Sequence, residues 1–180
     1  PNGSFPAHGP NPLLAESQKG IKVLIKSGRF NLGAVVDGDG DRILFLDEKS
    51  ETVDPGHLFS LMIDRYLVPR RVKVVVKNIA LARVVDETAK SAGVKLDVVP
   101  VGRTKMQVAM KKVKAAMGVE KSGHYFFKDL YYGDNALAAL LTVVTILTKE
   151  KKSLSKLLEP YRGYVILPEV NLPFEGRVDS

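Results

Sequence analysis

Val72-Lys73-Val74-Val75-Val76-Lys77-Asn78 decides the fold. Residues 72–76 form an apolar, β-branched run broken only by Lys73, the pattern of a strand buried on both faces. Upstream, residues 55–67 carry Leu58, Leu61, Met62 and Tyr66 at helical spacing, behind Asp54 as N-cap. Downstream, residues 81–92 read as a helix closed by Gly93, residues 94–99 as the next strand, and residues 104–116 as another helix. Residues 125–127 read as a short strand, residues 134–147 as a long apolar helix, and residues 153–158 as a last helix capped by Ser153. This alternation predicts an α/β fold with a mostly parallel sheet covered by helices.

In such sheets ligands bind off the carboxyl ends of the strands. That rule selects Lys77-Asn78, then Gly102-Arg103-Thr104-Lys105, then Glu120-Lys121-Ser122-Gly123-His124. Each residue alone reads as a solvated loop group. Their shared position at strand ends gives them a functional reading.

Ahead of this unit, Asp37-Gly38-Asp39-Gly40-Asp41-Arg42 lies between two apolar runs, residues 32–36 and 43–46, which read as a strand–loop–strand. Carboxylates this close repel: at an effective dielectric of ~20, two charges ~4 Å apart cost about 4 kcal/mol. The glycines let the chain turn sharply enough for the carboxylates to converge on a cation, and oxygen-only ligands select a hard ion, Mg²⁺ before softer metals. A plain hairpin turn is the alternative. An EF-hand reading puts Asp37, Asp39, Asp41 and Glu48 at positions 1, 3, 5 and 12 of a calcium loop. Against it, Arg42 stands where that loop needs glycine, and the flanks read as strands. Earlier still, Asn11 and Pro12 are placed to open a helix with Ile21, Leu24 and Ile25 on one stripe and Gly28 at its end. The polar turn Glu48-Lys49-Ser50-Glu51 marks a domain boundary.

The 180 residues are 45% hydrophobic and 26% charged, as in ordinary globular proteins. The net charge of +7 points to an anionic partner, either nucleic acid or a phosphorylated small molecule. No aromatic residues interleave with a basic stripe, which sets nucleic acid aside. No apolar run reaches the ~18–20 residues that span a bilayer, and the N-terminus lacks a signal region, so no membrane partner is expected. The absence of cysteine excludes disulfides and thiolate metal sites and fits the cytoplasm. With no starting Met, the chain reads as a piece of a longer protein.

Glu120, Ser122 and His124 offer a carboxylate, a hydroxyl and an imidazole around Gly123, a set able to grip vicinal hydroxyls. A hydrolase reading of Ser122 fails, because the nucleophile elbow needs glycines where Glu120 and His124 stand.

With these segments in order, the chain resembles the α-D-phosphohexomutases, the family of bacterial and archaeal phosphomannomutase/phosphoglucomutases. Phe5-Pro6-Ala7-His8-Gly9-Pro10-Asn11-Pro12 is similar to the family's F-P-x-H-x-P-N-P segment. Residues 37–42 resemble its metal loop, and residues 118–129 with Gly133-Asp134 its sugar-recognition loop. Departures are Val119 before the loop's glutamate, Lys121 at its variable position, and Gly133-Asp134-Asn135-Ala136 in place of the commoner G-D-D pattern.

The resemblance implies the C-terminal part of the family's second α/β domain over residues 1–50, with the metal loop. It implies the third domain over 51–166 and the start of a link to a fourth domain over 167–180. It implies a Mg²⁺-dependent mutase that interconverts mannose or glucose 1- and 6-phosphates through a phosphoserine and a bisphosphorylated sugar. Asp37, Asp39 and Asp41 would hold the metal. Arg42, Lys77 and His124 would serve catalysis. Glu120, Ser122, His124 and Arg103 would bind the phosphorylated hexose. The family's serine segment and its phosphate loop, in domains 1 and 4, have no counterpart here, so the piece alone is expected to be inactive. A non-catalytic module that binds a divalent ion or a phosphosugar is the alternative from another class.

Overall fold

The computed structural model describes residue 5 and residues 9–164, so residues 6–8 of the first motif and the 167–180 link lie outside the described residues. The first helix, α1, runs over Ala15–Lys26, later than Pro12 suggests. The reason is local: Asn11 Oδ1 accepts from the Leu13 amide at 3.0 Å and the Asn11 carbonyl from the Leu14 amide at 3.3 Å, closing a separate turn. Ile25 is buried with Ile21 packed beside it, but Leu24 faces solvent, a correction to the predicted stripe. Gly28, at φ +74°, follows the helix end in the left-handed region.

Strands β1 (Gly33–Val36) and β2 (Ile43–Leu46) pair antiparallel with Val36 opposite Ile43, so residues 37–42 form the loop between them. β2 is buried along its whole length. Leu46 packs with Ile25 and Val35, whereas Ile43 and Phe45 enter the main core. The Phe45 ring meets Tyr125 edge-on, with centroids 6.2 Å apart. Residues before the polar turn thus contribute both to a small cluster of their own and to the main core.

Helix α2 (Pro55–Met62) starts with Asp54 accepting from the Gly56 and His57 amides, as the cap reading expects, and a π-helical turn over Ile63–Leu67 continues it. Then come β3 (Val74–Asn78), α3 (Val84–Ser91), β4 (Lys95–Val99), α4 (Arg103–Val113), β5 (Met117–Val119), β6 (Tyr125–Phe127), β7 (Gly133–Asp134), α5 (Ala136–Glu150) and α6 (Leu154–Leu158). The five-stranded sheet has the order β4-β3-β5-β6-β7. The first three strands are parallel, and β6 and β7 run antiparallel. On one face Val75, Met117, Val119 and Tyr125 pack with apolar residues of α2, α3 and α5. On the other, Val76, Val99 and Phe126 pack with Met106 and Met110 of α4.

β5 and α6 also differ from the sequence reading. β5 joins the parallel and antiparallel halves of the sheet, yet its three residues include a glycine and carry no strand signal of their own. Gly118 lies close against α4: a Cβ there would stand 2.6 Å from Met110 Sδ and 2.8 Å from Met106 Sδ, so the methionines would have to shift. At α6, Ser153 makes no side-chain cap bond to the backbone. The Glu48 carboxylate accepts instead from the Ser155 amide at 3.2 Å and from the Ser155 hydroxyl. Among the described residues no helix is long and apolar enough to cross a membrane.

Candidate functional site

Asp37 shapes the aspartate loop. Its Oδ1 accepts from the amides of Gly40, Asp41 and Arg42 at 3.0–3.1 Å, and its Oδ2 from Arg42 Nε at 2.6 Å. Burial pushes this carboxyl up, but the Arg42 guanidinium and the backbone donors outweigh it and hold the pKa at about 2. Gly40, at φ +83°, makes the bend. Asp39 is exposed at the loop tip, while Asp41 turns inward and is half-buried.

The second loop follows β5. Glu120 is buried, and its Oε1 accepts from the Gly102 amide at 3.1 Å. Ser122 Oγ lies 2.8 Å from His124 Nδ1. Burial raises the Glu120 carboxyl, yet His124 and the Gly102 amide bring it below the usual range. Lys121 points away from its neighbours: its ammonium pairs with the Asp54 carboxylate and its amide donates to Asn78 Oδ1 at 3.4 Å. Lys121 thus fastens the loop to the α2 cap.

The two loops are joined. The Ile43 amide donates to the Gly123 carbonyl at 3.0 Å, and Arg42 and His124 form an isolated β-bridge. Gly123 has φ +92°, and a Cβ on it would stand 2.9 Å from the Ile43 carbonyl oxygen, so no larger residue fits this approach. As a result, His124 Nε2 lies 3.4 Å from Asp41 Oδ1 while its Nδ1 lies 3.3 Å from Glu120 Oε2. Desolvation lowers the imidazole pKa, but Glu120, Asp41 and Asp134 raise it further, so His124 holds its proton above the ordinary histidine range. Burial and its carboxylate neighbours raise Asp41, with His124 opposing.

Arg103 reaches the same place from the start of α4, with Nη1 3.2 Å from Asp41 Oδ2 and Nη2 donating to Asp134 Oδ1 at 2.6 Å. Asp134, on β7 with its side chain buried, is a site residue that sequence reasoning missed as such. Its one signal was its place in the Gly133-Asp134 motif before an apolar helix. Lys77 is placed differently. Its buried ammonium donates to the Leu81 carbonyl at 3.3 Å and pairs with Asp86 of α3. Among the described residues no ion pair links it to Asp41, Glu120 or His124. Asp37, Arg42, Asp41, Arg103, Glu120, Ser122 and His124 are thus brought together, with Asp39 at the rim and Lys77 one strand away, in register with Val119.

The donor set fits a hard divalent ion. Asp37, Asp39 and Asp41 each offer an oxygen, and these atoms lie within 4.8 Å of one another. A second group, Asp41, His124 and Asp134, meets the same span and shares Asp41.

A protein-family model described as phosphoglucomutase/phosphomannomutase, alpha/beta/alpha domain III, matches residues 54–164. The chain belongs to the phosphoglucomutase/phosphomannomutase family. Among curated members of this α-D-phosphohexomutase family, it is 29% identical to a phosphomannomutase of Methanocaldococcus jannaschii, over 95% of this chain and 38% of that protein. The chain therefore spans under two fifths of that relative's length. The fold is shared with a phosphoglucomutase/phosphomannomutase family protein of Burkholderia thailandensis, at a TM-score of 0.84 and 24% identity, over 93% of this chain and 36% of that one. It is also shared with Aspergillus fumigatus N-acetylphosphoglucosamine mutase in complex with GlcNAc-6P and magnesium, at a TM-score of 0.56 and 19% identity, over 69% of this chain and 34% of that one.

Proposed function

We propose that this chain supplies the metal loop and the sugar-recognition loop of a Mg²⁺-dependent phosphohexomutase that interconverts hexose 1- and 6-phosphates of mannose or glucose. The reading is carried by one observation, the 3.4 Å approach of Asp41 to His124, which puts the converging carboxylates beside the hydroxyl-gripping loop. Asp37, Asp39 and Asp41 would hold Mg²⁺, and the chemistry the ion would supply there is neutralisation of charge on a phosphoryl group. Family membership and the magnesium in the fungal relative's complex support that choice of ion. Glu120 accepts hydrogen bonds from vicinal sugar hydroxyls, and Ser122 donates or accepts one. Protonated His124 holds an acidic hydrogen next to the sugar and the transferring phosphate, suited to stabilising an oxyanion or giving up a proton. Arg42 keeps Asp37 ionised and the loop closed. Lys77 adds positive charge at the end of β3, from a position held by Asp86.

In this reading residues 1–50 close a second domain, 51–166 form the third and 167–180 lead to a fourth. The phosphoserine and the phosphate-binding loop come from parts of the whole protein that this chain does not contain, and the chain alone is inactive. A phosphorylated substrate and a cysteine-free sequence go with a cytoplasmic enzyme. The test is a coupled assay on the whole protein containing this segment. Glu120→Gln is expected to raise KM for the hexose phosphate about tenfold or more, from the loss of a charged hydrogen-bond partner. Unchanged KM and kcat would overturn the sugar-binding assignment.

A further inference from the structure

Arg103 stands between two carboxylates in unlike surroundings. The Asp134 side chain is buried, 1% exposed, and its Oδ2 has no hydrogen-bond partner, with His124 Nε2 3.8 Å away. Its Oδ1 takes the Arg103 Nη2 at 2.6 Å. Asp41 belongs to the aspartate loop, and its Oδ2 takes Nη1 at 3.2 Å. The same helix start is pinned to the second loop through the Gly102 amide on Glu120. The guanidinium therefore spans from the β1–β2 loop to the far edge of the five-stranded sheet, and its planar fork allows one side chain to hold both acids.

We propose that Arg103 is a positioning residue, a clamp that holds Asp41 beside Asp134 and competes with a divalent cation for the Asp41 carboxylate. This rests on the aspartate loop being the cation's seat. A magnesium-like ion takes a carboxylate oxygen at about 2.0–2.1 Å, so ion and guanidinium meet across one carboxylate and repel each other there. The bond to Asp134 is the shorter and lies on the buried acid, so cation binding loosens the Asp41 end and leaves Arg103 on Asp134. The clamp thus lowers cation affinity and keeps the loop in register with His124 before the ion arrives.

Mn²⁺ titrated into the 180-residue chain, with free ion followed by its electron paramagnetic resonance signal, tests this. Arg103→Met is expected to tighten Mn²⁺ binding about tenfold, the effect of removing one nearby like charge. Arg103→Lys, which keeps the charge without the fork, tightens it less. Arg103→Gln, which removes the charge but keeps an N–H donor for Asp134, should show the same tightening even if Arg103→Met folds poorly. Unchanged or weaker binding in both neutral variants, with Asp39→Asn still abolishing it, overturns the clamp alone. Binding unaffected by Asp39→Asn overturns the loop as the cation's seat, and the clamp with it.

Discussion

Asp37 holds three backbone amides on one oxygen and the Arg42 guanidinium on the other, so its loss undoes the whole turn. Its folded pKa of about 2 lies below the ordinary aspartate value of 3.8. The stabilisation is therefore complete above the unfolded value and disappears as pH falls through about 2. Urea unfolding in chelator should show Asp37→Asn to be less stable by roughly 2 kcal/mol at neutral pH, with a flatter acid limb. His124 works with the opposite sign. Its folded pKa is raised above 6.5, so its stabilisation is full below that value and is lost as pH climbs through the elevated one. The same unfolding series taken to alkaline pH should fall for the wild type and fall less for His124→Gln.

Among the elements, the joint between β2 and the second loop is the most constrained. Gly123→Ala must accept both a left-handed backbone and a clash with the Ile43 carbonyl, and it is expected to cost about 2 kcal/mol or more in thermal unfolding. Glu48→Ala removes the carboxylate that satisfies the start of α6 and should cost about 1 kcal/mol. These joints mark where sequence reading stopped. β3 and β4 were legible because a β-branched run between helices has few alternatives. The strand–loop–strand around residues 37–42 was legible because apolar flanks frame a turn. β5 was not, because a three-residue strand containing Gly118 is defined by the methionines of α4 and by β3 and β6 on either side. The start of α1 and the cap of α6 were missed because a local turn at Asn11 delays the one and Glu48, far away in the chain, supplies the other. At the site, Glu120, Ser122, His124 and the three aspartates stood out as motifs. Asp134 as an anchor and Lys121 as a fastener depend on contacts across the fold, and no spacing announces them.

At the scale of the molecule, a β1–β2 hairpin leans on an α/β sheet so that one histidine touches carboxylates from both. In a coupled mutase assay the chain by itself should give no turnover, and measurable turnover would contradict the assignment of the phosphoserine to another part of the protein. The central claim is that the two loops form a single cation-responsive site. The most direct measurement is a Mg²⁺ titration of the ¹⁵N-labelled chain followed by heteronuclear NMR. The predicted result is that the amides of residues 38–42 and those of residues 120–124 shift together, in one saturable step that Asp39→Asn removes. Shifts confined to one loop, or shifts that never saturate and survive Asp39→Asn, would contradict it.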